Sequence, residues 1–182
     1  MIVLPVFDNN DIKADGDHPL VPPRRPISRF TIELYRINLA DNESSRDVSV
    51  GHEGEELPMY HPLNMYKIVG VRIVPIQNDA TYFRPRHWLY FDNSGERGPY
   101  TSPDGAGCIM YGHNQGIQGI KIDCGTTGDA AQYEARYHGY LGSPEGNIHG
   151  FSGFKKSGEW CGHVPGGTHL LTFSLGFYPK HS

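Results

Sequence analysis

The sequence predicts a single-domain all-β fold, a sandwich, barrel or prism, preceded by an extended N-terminal arm. The 182 residues include 23 glycines and 14 prolines, about a fifth of the chain where roughly an eighth is usual. Outside residues 27–50 the stretches without glycine or proline end after about ten residues, which leaves little room for ordinary helices. Several segments alternate apolar and polar residues with period two, as half-buried strands do. These observations exclude helical bundles and doubly wound α/β folds.

The N-terminal arm differs in composition from the rest of the chain. The segment 8–17 is rich in aspartate and asparagine, and the segment 18–26 is rich in proline, which favours turns followed by an extended polyproline conformation. The apolar residues Ile2, Val3, Leu4, Val6 and Phe7 are suited to an edge strand on this domain or on a neighbouring subunit. A flexible tail is the alternative for this segment. We predict an ordered, extended arm over residues 1–26 and an all-β domain over residues 27–182.

The domain begins with an alternating strand. Phe30, Ile32 and Leu34 share one face, and the apolar positions then change parity at Tyr35. Such a change predicts a bulge or bend near residues 34–35. Further strands are predicted at Tyr66–Ile76 (internal, ending near Pro75), Tyr82–Phe83 with His87–Phe91 around Pro85, Cys108–Tyr111, Ile117–Cys124, Ile148–Phe154 and Leu170–Tyr178.

One segment, Asp129–His138, fits two structures. Its good helix formers lie between an aspartate suited to the N-cap and Gly139 suited to the C-cap. As a strand it would place Tyr133, Ala135 and Tyr137 on one face. We favour the strand because the segments around it are β.

Charge and apolar content exclude several partners. The net charge of −4 gives no reason to expect nucleic acid or an anionic membrane as partner. No apolar run is long enough to cross a bilayer, and the first eight residues lack the basic and apolar regions of a signal peptide. We therefore expect a soluble chain without membrane insertion, cytoplasmic or released without a classical signal peptide.

The sequence favours no cofactor and no catalytic activity. Cys108, Cys124 and Cys161 are widely spaced and odd in number, so they fit neither a disulfide framework nor a zinc knuckle. Cys124 and Cys161 are expected in the core. No nucleophile elbow or phosphate loop is present in the sequence.

The ten histidines include one candidate metal loop, with His52, Glu55 and His61 as its ligands. A solvated acidic loop is the favoured interpretation of that segment. A metal-dependent enzyme is therefore the third of three hypotheses for function.

Aromatic residues and glycines dominate the C-terminal half. A sugar presents apolar C–H faces and a ring of hydroxyls, so its site needs an aromatic plane beside backbone N–H groups and planar acceptors. The segment Ser157–Gly162 combines these features in six residues. The alternative is that Trp160 caps the core.

The C-terminal half also resembles the jacalin-related lectins. The segments Gly146–Gly153, Ser157–Trp160 and Leu170–Pro179 look like the end of that family's sequence, where a strand leads through a sugar-binding loop into a final apolar strand. The stretch Trp88–Tyr100, followed by Ile117–Ile122, is similar to the family's strand, Gly-Pro-Tyr turn and returning strand. The resemblance covers about half of the chain. It implies a β-prism of three Greek-key sheets and a lectin activity that needs no calcium.

The family's binding loop has the form Gly-x-x-x-Asp, whereas here Gly158 is followed four residues later by Gly162. The acidic acceptor is thus missing from its place, and Glu159 replaces it only if the loop is remodelled. The predicted ligand-binding residues are Gly158, Glu159, Trp160, Gly162, His163, Tyr100 and Asn114.

The fold expectation thereby narrows to a β-prism or a β-sandwich of the jelly-roll type. The leading functional hypothesis is a non-catalytic, lectin-like protein that binds glycans or glycoconjugates and gains avidity as a homo-oligomer. The alternative is a coat or spike subunit of a virus or phage with a jelly-roll fold, which the proline-rich arm and the long loops favour.

Overall fold

A computed structural model gives the fold, and the residues it describes are 25–27, 29–59, 66–75, 83–91, 94–101, 116–162 and 167–180. Within these ranges the chain forms fourteen strands in four antiparallel sheets and one short 3-10 helix. The prediction of an all-β single-domain fold is confirmed. The described part of the chain contains no helix able to span a bilayer.

Sheet A has the order β2-β1-β4. Its strands are β1 (Phe30–Asn38), β2 (Ser44–Gly51) and β4 (Tyr66–Pro75). The register between β1 and β4 shifts between Tyr35 and Arg36, which confirms the predicted bulge. Among the described residues β4 pairs with β1 alone, so the central position that the sequence predicts for β4 belongs to β1.

Sheet B has the order β11-β8-β14-β3. Its strands are β3 (Glu56–Met59), β8 (Tyr133–His138), β11 (Lys155–Lys156) and β14 (Phe173–Pro179). The strand interpretation of the ambiguous segment is confirmed for β8, whose buried residues are Tyr133, Ala135 and Tyr137. The 3-10 helix Gly128–Gln132 leads into it.

Sheet C has the order β12-β7-β5-β6. Its strands are β5 (Arg86–Phe91), β6 (Gly95–Thr101), β7 (Ile117–Asp123) and β12 (Trp160–Gly162). Two expectations are corrected here. Phe83 is buried but lies outside any strand, and the expected Gly-Pro-Tyr turn is part of β6, which pairs with β5.

Sheet D is the smallest and has the order β10-β9-β13. Its strands are β9 (Tyr140–Gly142), β10 (Ile148–Phe151) and β13 (His169–Leu170). Two predicted strands are therefore corrected here. In the segment 148–154 the strand ends at Phe151. The segment 170–178 is split between β13 and β14. At the break, the Leu171 N–H donates to the Tyr140 carbonyl oxygen and the Thr172 hydroxyl accepts the Tyr140 N–H.

All four sheets contribute to one core. Phe177 packs edge to face against Phe30 and against Phe83, each with ring centroids 4.9 Å apart. Cys124 and Cys161 are buried free thiols, as expected. Burial raises the pKa of Cys124 to about 12 and that of Cys161 to about 11, so both stay protonated near neutral pH.

The described chain begins at the end of the predicted arm. The Tyr133 hydroxyl donates to the carbonyl oxygen of Arg25 over 2.5 Å, and the Ile27 N–H donates to Glu53 over 2.9 Å. Most of the arm, residues 1–24, and the predicted strand Cys108–Tyr111 lie outside the described residues.

Candidate functional site

The outer face of sheet C carries a row of two tryptophans with a lysine between them. Trp88 on β5, Lys121 on β7 and Trp160 on β12 are direct cross-strand neighbours, and such neighbours share one face of a sheet. The Lys121 ammonium lies 4.6 Å from the Trp88 ring centre and 4.8 Å from that of Trp160. Both distances are typical of cation–π contacts.

The alternation of β5 explains why these rings face outward. His87, Leu89 and Phe91 are buried, whereas Trp88 and Tyr90 on the opposite face are half-buried. Tyr90 meets Trp160 edge to face with ring centres 6.2 Å apart. We call the set Trp88, Tyr90, Lys121 and Trp160 the tryptophan platform.

The neighbouring cross-strand row, next to Tyr90, contains two glycines. Gly119 pairs with Tyr90 on one side and with Gly162 on the other. Gly162 has φ +87°, and a Cβ there would overlap the carbonyl oxygen of Gln118, so the position requires glycine. Gly119 is buried and Gly162 is half-buried, so the two glycines let β7 and β12 pack closely beside the Tyr90 ring.

The charges around the platform are paired. Glu96 lies 3.5 Å from the Lys121 ammonium, and Asp123 lies 2.5 Å from the Arg86 guanidinium. Arg86 also lies over the Trp88 ring at 5.6 Å. Because each cation has a carboxylate beside it, the platform offers hydrogen-bonding groups without a large net charge.

Trp160 is positioned by a tight turn between β11 and β12. The Glu159 N–H donates to the Lys156 carbonyl (3.0 Å), and the Gly158 N–H donates to the Ile122 carbonyl (2.7 Å). The Tyr137 hydroxyl lies beneath the turn, 2.5 Å from the Glu159 carbonyl oxygen, and accepts the Ile122 N–H. Burial raises the pKa of Tyr137 above its usual range, so this hydroxyl keeps its proton and can donate it to the turn.

The predicted ligand residues do not all meet at the platform. Trp160 and Gly162 belong to it. Glu159 is exposed in the turn, where its carboxylate accepts the Lys156 N–H over 2.8 Å, and Gly158 lies beside it. Tyr100 is on the opposite face of sheet C, paired with His87 and packed against the core.

His163 and Asn114 lie outside the described residues. Trp88, Tyr90 and Lys121 are platform residues that the sequence argument did not select. The alternation of Trp88 and Tyr90 with buried neighbours was a usable signal. The contact with Lys121 had no such signal in the sequence. It depends on the register between β5 and β7, which brings together two residues 33 positions apart.

Two residues of the candidate metal loop are joined by a hydrogen bond. The His52 N–H donates to the Glu55 carboxylate over 3.1 Å, and both residues are exposed in the turn before β3. His61 lies outside the described residues. In the part of the chain that the structure describes, no group of three potential ligands comes together.

Comparison of the chain with protein-family models, with curated proteins and with solved structures finds no match. The function is therefore inferred from the site itself.

Proposed function

We propose that the protein binds carbohydrate without chemical conversion, at the tryptophan platform of sheet C. The observation that carries the proposal is the clustering of three half-buried aromatic rings with paired charges on one sheet face. Aromatic faces stack on the C–H faces of a sugar ring. The ammonium and carboxylate groups beside them donate to and accept from its hydroxyls.

The ligand class follows from the charge balance and the shape. Since Lys121 and Arg86 each have a carboxylate neighbour, a neutral hexose fits better than an anionic sugar. A shallow open surface of this kind binds one sugar weakly, so we expect useful affinity only when several copies of the chain act together.

The platform also fits the lectin expectation in a modified form. In the jacalin-related lectins, which the C-terminal half resembles, the sugar lies in a loop with an acidic acceptor. Here the Glu159 carboxylate accepts the backbone N–H of Lys156 in the turn, whereas the carboxylates of Glu96 and Asp123 lie beside the platform in ion pairs with Lys121 and Arg86. We propose that these two residues supply the acceptors.

The test is a glycan array probed with the full chain, followed by calorimetric titration of the strongest sugar. Trp160→Ala is expected to weaken binding about 100-fold, as loss of a central aromatic contact does. The matched control is Tyr140→Ala, which removes an exposed aromatic residue from sheet D and should leave sugar affinity unchanged. Failure to bind any sugar class, or equal binding by Trp160→Ala, would overturn the proposal.

A second candidate, a coat or spike subunit of a larger assembly, is supported by exposed apolar side chains away from the platform. Ile148 is 49% exposed and Phe154 is 73% exposed. Sedimentation velocity and negative-stain microscopy separate the candidates. Large regular shells or lattices favour the assembly subunit, and small discrete oligomers favour the lectin.

A further inference from the structure

A second aromatic surface lies where sheets B and D meet. Phe154 is 73% exposed, Phe151 is 44% exposed and Tyr140 is 38% exposed. Their rings are contiguous, with Phe151 centred 5.4 Å from Phe154 and 5.5 Å from Tyr140. His138 packs edge to face against both phenylalanines. We call Tyr140, Phe151, Phe154 and His138 the phenylalanine patch.

Phe154 separates two clefts of different character. On one side a cleft of about 260 Å³ is lined mainly by apolar and aromatic groups, including Pro58 and Phe173. On the other side a cleft of about 450 Å³ is lined by Phe154, Tyr178, Glu56, Arg136, Lys155 and Lys156. The two pockets are adjacent, and one of them is cationic.

The carboxylate in the cationic cleft is already engaged. Glu56 Oε1 accepts the Ser174 hydroxyl and lies against His138 Nε2, each at 2.6 Å. In the described part of the chain no carboxylate forms an ion pair with Lys155 or Lys156. An exposed apolar patch rimmed by polar and charged side chains is typical of a protein interaction site, so this surface has the character of a docking site.

We propose that the phenylalanine patch and its cationic cleft bind an acidic protein segment that carries a bulky apolar residue. The apolar residue enters the cleft beside Phe173, and the acidic residues meet Lys155 and Lys156 across Phe154. Charge complementarity selects this occupant over a second copy of the patch, since two copies would bring the same lysines together. It also separates this surface from the tryptophan platform, where the cations are paired.

The test is selection from a random dodecapeptide phage library on the immobilised full chain. The selected peptides are counter-screened against the double variant Phe154→Ser with Lys156→Glu. Peptides retained by the wild type and lost on the variant are expected to carry aspartate or glutamate next to phenylalanine, leucine or tryptophan. Enrichment of peptides without net negative charge, or no enrichment at all, would overturn the proposal.

Single variants then locate the contact by fluorescence anisotropy with the strongest selected peptide. Phe154→Ser and Lys156→Glu are each expected to raise its Kd about tenfold, and added salt should weaken binding. The matched controls are Val48→Ser and Arg97→Glu. Val48 on β2 is 50% exposed, and Arg97 on β6 is exposed. An equal loss of peptide affinity in the controls would contradict the assignment. A concentration-dependent dimer that Phe154→Ser abolishes would also contradict it, because a second copy would then cover the patch.

Discussion

The tryptophan platform and the phenylalanine patch are both aromatic surfaces, yet they differ in how their rings are held. In the platform a lysine fills the space between two indoles, and each cation has a carboxylate neighbour. In the patch the phenylalanine rings contact one another and His138, and the nearby lysines lack ion-pair partners among the described residues. A surface with satisfied charges suits a neutral, hydroxylated ligand. A surface with open cations and exposed phenylalanine suits an acidic protein segment.

The two surfaces are joined by the tight turn between β11 and β12. β11 joins sheet B through Lys155 and Lys156, and β12 joins sheet C through Trp160. The turn between them is fixed by the Tyr137 hydroxyl and by the Gly158 N–H. A change in this turn should therefore disturb both surfaces, whereas a change at either end should disturb one.

The largest expected effect is a loss of unfolding free energy at acidic pH, caused by a histidine beneath the platform. His87 lies beneath the platform on β5, and its Nε2–H donates to the Val71 carbonyl over 3.0 Å. Burial lowers the pKa of His87 from 6.5 to about 4. As pH falls from 6.5 to 4 the unfolded chain takes up a proton that the folded chain does not, so folding is destabilised by about 3 kcal/mol across that window.

Urea unfolding at pH 7, 5.5 and 4 measures this loss. The matched variant is His87→Gln, which keeps an N–H for Val71 but does not titrate. Its unfolding free energy should fall less than that of the wild type between pH 7 and 4. The same pH dependence in both proteins would show that His87 is not its source.

The sequence predicted the strands whose apolar residues alternate or crowd, because burial of one face imposes period two. β1 with its bulge, β7 and β8 are examples. It did not predict β2, whose serine, arginine and aspartate residues are mostly exposed, or the two-residue β11. Such strands are held by their neighbours' hydrogen bonds and by little burial of their own.

The candidate site was predicted in part for a similar reason. Trp160 and Gly162 are visible as a local motif, but Lys121 and Trp88 join them only through strand register. The phenylalanine patch combines Tyr140 from sheet D with His138 from sheet B and Phe154 from the loop after β10. Nothing in the spacing of these residues indicates that they meet.

The second effect should strike both surfaces through the shared turn. Tyr137→Phe removes the hydroxyl that accepts the Ile122 N–H and lies against the Glu159 carbonyl. Leaving these buried groups without a partner should lower the free energy of unfolding by about 2 kcal/mol. The affinity of this variant for sugar, measured by titration, and its affinity for the peptide, measured by anisotropy, should both fall. Loss of only one activity would show that the turn does not couple the surfaces.

A smaller stability effect is expected at the platform itself. Trp160 is half-buried against Tyr90 and Lys121, so Trp160→Ala should cost about 1 kcal/mol of unfolding free energy, part of what a fully buried aromatic contributes. Thermal unfolding measures it beside the sugar titration. A loss as large as that of a core residue would mean that Trp160 caps the core rather than presenting a binding face.

The smallest effect should come from the most exposed ring. Phe154 keeps 73% of its surface in solvent, and its ring forms T-shaped contacts with Phe151 and His138. Phe154→Ser should therefore change the unfolding free energy by less than about 0.5 kcal/mol, as exposed substitutions usually do, while peptide binding falls. Urea unfolding of this variant beside Trp160→Ala compares the two surfaces directly. If Phe154→Ser destabilises the fold more than Trp160→Ala does, the patch is a structural cluster, and the distinction between a packed platform and an open docking surface fails.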